Sequence, residues 1–207
     1  MQMRALTREE AKSITRRRLI DAAIRLAAEE GGRNLTASRV ARAAGVAQPT
    51  FYVHFRDRDD LLETVAELEI GELRRQFQLA RAGIDPVGLT TGASVDALID
   101  AFRVPLETIL SRPVQYRIYV QERLHNDSPL GKHCRMLADD VRADLVRDLT
   151  AVNAVSGNRR SEGELTMVAD GLIALTEALG LGLIEKRYKN VDAALGVLIE
   201  FARGVLV

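Results

Sequence analysis

Apolar residues recur three and four positions apart along most of the chain, and strand-like alternation is scarce. The pattern predicts an all-α protein of about nine helices. Helix 1 begins near Thr7, with Glu9 and Glu10 favourable to its positive end, and stops at Gly31-Gly32. Leu19, Ala23, Leu26 and Ala27 form its buried stripe. The stretch from Leu35 to Leu62 then reads as two short helices, a tight turn and the start of another helix. Thr36 is placed to cap the first of these, and Val40, Ala41 and Ala44 share its apolar face. Gly45 ends it in a left-handed conformation and Val46 plugs the turn. Ala47 opens the next helix, with Pro49 in its first turn, where a missing N–H is harmless. Phe51 and Phe55, four apart, point into one small core. Gln48, Thr50, Tyr52 and His54 are left on other faces. That layout is a helix-turn-helix reader of DNA.

Downstream, the spacing predicts a helix from Asp57 or Arg58 to about residue 82, a Gly/Pro loop over 83–93, and a helix from Ser94 to Leu110. Pro105 predicts a kink or break in that helix near Arg103. Further helices are expected over 113–124, 129–155, 164–188 and 192–206. The last is apolar on most faces, so something must cover it, and a second copy of the chain is the natural cover. Gly180 and Gly182 are unfavourable inside a helix, and close approach of another helix gives a reason for them. Residues 1–60 form a DNA-binding domain in this reading, and 61–207 an effector-binding and dimerisation domain. The helix joining them is a lever between the two.

Composition sharpens the picture at three points. Formal charge sums to zero, which argues against nucleic acid until its distribution is considered. The first 60 residues hold 12 Lys or Arg against 8 Asp or Glu, while the remainder holds 17 against 21. A basic head therefore precedes an acidic body. The single cysteine, Cys134, excludes an internal disulfide and fits a reducing cytoplasm. The N-terminus lacks an apolar signal core. Asp170, Glu177 and Glu185 interrupt the most apolar C-terminal segments, so no membrane span is expected.

Ala44-Gly45-Val46, then Thr50-Phe51-Tyr52-Val53-His54-Phe55, then Asp59-Asp60-Leu61-Leu62 resembles the N-terminal signature of TetR-family transcriptional regulators. Arg58 stands where that family usually carries Lys, which keeps the charge. Ala47 replaces a common Ser or Thr and removes one capping or phosphate hydrogen bond. The resemblance implies that Thr36, Gln48, Pro49, Thr50, Tyr52, His54 and Arg58 face DNA. The chemistry agrees: Gln48 suits adenine, Thr50 a phosphate or a thymine methyl, and Tyr52 and Arg58 suit phosphate. Arg39 joins them at the start of its helix, with Arg17 as a phosphate clamp and Arg4 on an N-terminal arm.

The implied partners are double-stranded DNA with a palindromic operator, a second copy of the chain, and a small apolar effector. The dimer interface is assigned to Leu172, Leu179, Leu183, Leu195, Leu198 and Phe201, on the last two helices. The effector pocket is assigned to Phe77, Val104, Tyr116, Tyr119 and Leu137. Residues 115–123 are similar to regulators of fatty-acid biosynthesis and desaturation in the same family, which implies acyl-CoA as the ligand. His125, His133, Cys134 and Asp127 lie close in sequence, but their spacing matches no metal-ligand pattern. No resident cofactor is expected. An enzyme finds no support, since no catalytic set or phosphate-cradling loop is present. The rival reading is a helical scaffold without DNA binding, against which the intact polar set from Gln48 to Arg58 argues.

Overall fold

A computed structural model describes residues 7–81, 95–125, 127–156 and 160–206. The described residues are helical throughout, joined by turns, with no strand among them. In chain order the helices are α1 (Arg8–Glu30), α2 (Ala37–Ala43), α3 (Gln48–His54), α4 (Arg58–Val65), α5 (Gly71–Arg81), α6 (Val95–Ser111), α7 (Pro113–Glu122), α8 (Pro129–Ser156), α9 (Glu162–Ile184) and α10 (Val191–Leu206). A 3₁₀ turn, Gly32–Asn34, follows α1, and a π turn, Ala66–Ile70, lies between α4 and α5. Arg4 and the 83–93 loop lie outside the described residues.

Helix starts follow local chemistry. Thr7 and Glu10 form a reciprocal capping box at α1, the Thr7 side chain accepting from the Glu10 N–H at 3.2 Å and the Glu10 carboxylate accepting from the Thr7 N–H at 2.7 Å. Ser161 and Glu164 repeat the device at α9. Asp57 caps α4 by accepting from the Asp60 N–H at 2.8 Å. α6 runs through Pro105, so of the expected kink or break the break does not occur. α9 ends at Ile184, four residues before the expected end. Lys186 there adopts φ +60°, and the Tyr188 N–H turns back to the Gly182 carbonyl at 3.1 Å.

The chain divides into two compact units. The first comprises residues 1–72 and 114–135, and the second comprises 73–113 and 136–207. The boundary expected after residue 60 is thus displaced, because α7 and the start of α8 pack with the N-terminal helices. In the first unit α1 packs on α2 and α4, and α2 on α3. Leu19, Ala23, Phe51, Phe55, Leu61 and Leu62 are buried in it. α7 and α8 are tied to these helices by polar contacts. The buried Glu122 carboxylate accepts from the Gly32 N–H at 2.7 Å, Gln115 donates to Glu69 at 2.6 Å, and His133 Nε2 lies 2.8 Å from Glu63.

In the second unit α6, α9 and α10 pack on one another around Phe102, Leu106, Leu149, Leu165, Ala169, Leu172, Leu195, Leu198 and Ala202. This corrects part of the dimer assignment. Leu172, Leu195 and Leu198 are buried in the core of their own chain, and Leu179 and Leu183 pack against that core. Phe201 alone of the six is turned out, 60% exposed. The glycines also have reasons within the chain. A Cβ on Gly180 would stand 3.0 Å from Ile109, and one on Gly182 2.2 Å from the Tyr188 ring. α9 is long and apolar enough to cross a membrane by length and composition, against expectation. Its Asp170 is paired with Arg142 at 2.6 Å, and Leu165, Ala169 and Leu172 are in the core.

The tightest backbone approach is at Gly131, in the first turn of α8. A Cβ there would fall 1.7 Å from the His125 carbonyl oxygen and 3.0 Å from that of Glu122. Neither neighbour is a side chain that can swing away. Gly131→Ala should therefore cost ~2–4 kcal/mol of stability, read as a lowered urea midpoint. Gly163→Ala, with open space around the new methyl, should cost little and is the matched control.

Candidate nucleic-acid interface

The turn between α2 and α3 is built from backbone hydrogen bonds that its sequence permits. Thr36 caps α2 by accepting from the Arg39 N–H at 3.2 Å. At the other end the Gly45 N–H reaches the Arg42 carbonyl at 3.0 Å and the Val46 N–H the Ala41 carbonyl at 2.9 Å. Those two bonds with a left-handed residue between them make a Schellman turn. Gly45 sits at φ +67°, and a Cβ there would also meet the Arg18 guanidinium at 2.8 Å. Ala47 then starts α3 without a side-chain cap, and Pro49 occupies its first turn.

α3 is anchored by Phe51 and Phe55, whose ring centroids are 5.7 Å apart and whose side chains are buried. Full burial of each ring contributes ~1.5–3 kcal/mol. The Arg16 guanidinium lies 4.7 Å from the centre of the Phe55 ring, fixing α1 beside the end of α3. Gln48, Pro49 and Tyr52 are exposed on the opposite side, and Thr50 is half-buried. Val53, 65% exposed, stands among them. The sequence reading passed over Val53 because it is apolar. Its offset from Phe51 and Phe55 is the signal that it faces outward, where a methyl-bearing side chain can meet thymine.

The cationic candidates differ in availability. Arg39 donates to the Asn34 carbonyl at 3.0 Å and pairs with Glu30, so it braces the turn after α1. Arg58 places Nε and Nη2 on one Asp59 oxygen at 2.9 and 2.8 Å. Arg17 pairs with Asp21 at 2.9 Å on an exposed face. Such surface pairs are weak enough for phosphate to displace them. His54 is half-buried beside Lys12 and Arg16, and its Nδ1 has no hydrogen-bond partner. Burial first, and then the two cations, hold its pKa below the ordinary 6.5.

The remaining candidates are divided between the two units. Tyr116 and Tyr119 belong to the first unit, and Phe77, Val104 and Leu137 to the second. Tyr116, Tyr119 and Leu137 are buried, while Phe77 and Val104 are half-buried. His133 faces Glu63, and His125 Nδ1 lies 3.5 Å from Arg33. Burial pushes the Cys134 thiol far above its usual range, which keeps it unreactive. Among the described residues no three His, Cys, Asp or Glu side chains gather around a common point.

This geometry defines a class: a helix-turn-helix head with its second helix presented outward, joined to a helical bundle. Comparison with known proteins shows what the chain is similar to. Residues 19–65 match the family model described as bacterial regulatory proteins, tetR family. An uncharacterized HTH-type transcriptional regulator of Haemophilus influenzae is 44% identical over 91 residues, covering 43% of this chain and 44% of its own. The HTH-type transcriptional regulator AcrR of Shigella flexneri is 36% identical over 86 residues, covering 40% and 39%. The matched region thus spans less than half the length of these curated relatives. The fold extends further. A TetR-like transcriptional regulator from a Rhodococcus species superposes with TM-score 0.70 at 18% identity, over 97% of this chain and 98% of that one. The fatty acid degradation regulator FadR of Bacillus halodurans gives TM-score 0.60 at 17% identity, over 89% and 94%. Similarity to that family model is thus confined to residues 19–65, the helices of the head, while the solved structures share the fold over most of the chain.

The lowered pKa of His54 has a measurable sign. Folding favours the neutral ring. Well above pH 6.5 folded and unfolded chains both hold it neutral, and the group contributes nothing to pH dependence. As pH falls through 6.5 the unfolded chain takes up the proton first, so stability is lost across that window. The urea midpoint of the parent protein should therefore drop more between about pH 7.5 and about pH 5.5 than that of His54→Gln. Equal slopes would mean that neither burial nor the neighbouring cations act on this ring.

Proposed function

We propose that the protein is a DNA-binding transcriptional regulator, a repressor that binds a palindromic operator as a homodimer in the cytoplasm, its operator affinity modulated by a small apolar ligand. The observation that carries the reading is α3 itself. A seven-residue helix, anchored by two buried rings, turns Gln48, Pro49, Tyr52 and Val53 to solvent together. A scaffold has no use for such a face, whereas a major groove accepts it.

Pairing is supported by the C-terminal helices. Met167, Gly171, Ala174 and Ala178 are exposed along α9, as are Ala193, Val197 and Phe201 along α10. Met167, Val168, Gly171, Leu172, Leu175 and Phe201 line an apolar cleft of about 360 Å³. A second copy covering these stripes buries apolar area and presents two heads to half-sites roughly 34–36 Å apart. For the effector, the similarity of residues 115–123 to fatty-acid regulators and the fold shared with a fatty acid degradation regulator both favour an acyl-CoA. Ligand that binds the operator-incompetent state better lowers operator affinity, and operator lowers ligand affinity by the same factor.

Band shifts on duplex DNA from the chain's own upstream region test the first claim. Gln48→Ala should weaken binding about 5- to 100-fold, the loss of one bidentate base contact, with helicity unchanged. No retardation of the parent protein at low salt would overturn the reading. Phe201→Glu should convert dimer to monomer in sedimentation velocity while leaving the thermal transition of the chain intact. Sedimentation of the parent protein as a monomer at all concentrations would remove the dimer from the account.

A further inference from the structure

Within the first unit, where α1 ends beside the end of α7, a cleft of about 670 Å³ opens. Its lining includes Glu29, Glu30, Gln121, Glu122 and His125. Glu122 is only 1% exposed. One of its oxygens accepts from the Gly32 N–H at 2.7 Å, and the other, Oε2, is buried with no hydrogen-bond partner. The backbone against it is bare. Gly31 has φ +82°, and a Cβ on either Gly31 or Gly32 would crowd a Glu122 oxygen at 3.3 Å.

The charge around this group is unbalanced. The last turn of α1 carries Glu29 and Glu30 and no basic residue, although a helix C-terminus is already the negative end of its dipole. Glu30 is paired with Arg39. Arg33 also lines the cleft, but its guanidinium is directed to Asp127 at 3.9 Å and to His125 at 3.5 Å. Among the described residues no ion pair joins Glu29 or Glu122 to a cation.

We propose that this cleft binds a small organic cation carrying several N–H donors, an alkylammonium or guanidinium compound, whose donors reach the Glu122 and Glu29 carboxylates. A carboxylate with an unfilled acceptor, walled by glycine backbone at a helix C-terminus, suits a charged donor. A bare metal ion fits poorly. It needs oxygen ligands converging within 2.0–2.6 Å of one point, roughly. These carboxylates line a common cleft without converging on a point. An extended cation bridges such a spread. The site lies apart from the reading face of α3 and does not depend on the DNA-binding proposal.

Agmatine, with a guanidinium at one end and an ammonium at the other, is the probe. Titration calorimetry on the full chain at low ionic strength should give saturable binding of one molecule per chain. Glu122→Gln, with its helical circular dichroism intact, should weaken binding about tenfold or more, and Glu29→Gln by a smaller factor. In the ¹⁵N spectrum of the parent protein the Gly31 and Gly32 amide signals should move with the same dissociation constant. Absence of saturation by about 10 mM agmatine would overturn the proposal. So would a folded Glu122→Gln that binds as tightly as the parent, or shifts spread over the acidic surface that leave Gly31 and Gly32 unmoved. Should Glu122→Gln fail to fold, the two glycine signals of the parent protein decide.

Discussion

Phe51 and Phe55 hold α3 in place, and everything the reading head offers depends on that hold. Seven residues are too few for a helix to persist in water, because nucleation cost exceeds the gain from so few hydrogen bonds. The two buried rings, 5.7 Å apart, supply what the backbone lacks. They also set rotation about the helix axis. With both rings turned inward, Gln48, Tyr52 and Val53 have no direction left but outward. Arg16, stacked over Phe55, adds a cation to the same joint without leaving the surface. Surface charge and integrity of the fold therefore meet in one cluster, where a change that loosens the rings also turns the outward face of α3.

A second joint lies at the other end of α1. The Gly31-Gly32 elbow stops the helix and brings bare backbone against a buried carboxylate. Such a carboxylate is costly unless its acceptors are filled, and one of the two is. The contact reaches from residue 32 to residue 122, and with Gln115 and His133 it draws α7 and the start of α8 into the first unit. The compact unit is therefore assembled from two separated stretches of chain. Small residues make this possible at both ends, since Gly131 admits carbonyls that no side chain would tolerate.

The terminal helices divide their apolar surface between two uses. Leu172, Leu195 and Leu198 fill the core of the second unit, and Met167, Val197 and Phe201 stay outside. Apolar residues on nearly every face of α10 thus reflect one buried face and one exposed face. An exposed apolar stripe is costly to leave in water, and this is the physical ground for a partner.

Local chemistry made much of this legible in the sequence. Thr7, Thr36 and Asp57 cap their helices because their oxygens sit one residue before the first turn, and Gly45 takes the left-handed position that few other residues accept. Phe51 and Phe55 announced their burial by spacing alone. These features depend on residues within a few positions of one another, so the order of residues suffices. Pro105 misled because a break is a local expectation that tertiary packing can overrule. Contacts between distant segments were not legible. Nothing in Glu122 as a letter distinguishes a buried acceptor for Gly32 from an exposed charge. Nor does the order of residues show that Arg39 is paired with Glu30 and Arg58 with Asp59. Which apolar face of α9 and α10 is covered likewise depends on where α6 lies. The sequence by itself determined helix type, helix ends and the outward set on α3, through interactions a few residues long. The tertiary structure decided which side chains are paired, buried or left without a partner, because those contacts include a hydrogen bond between residues 93 positions apart.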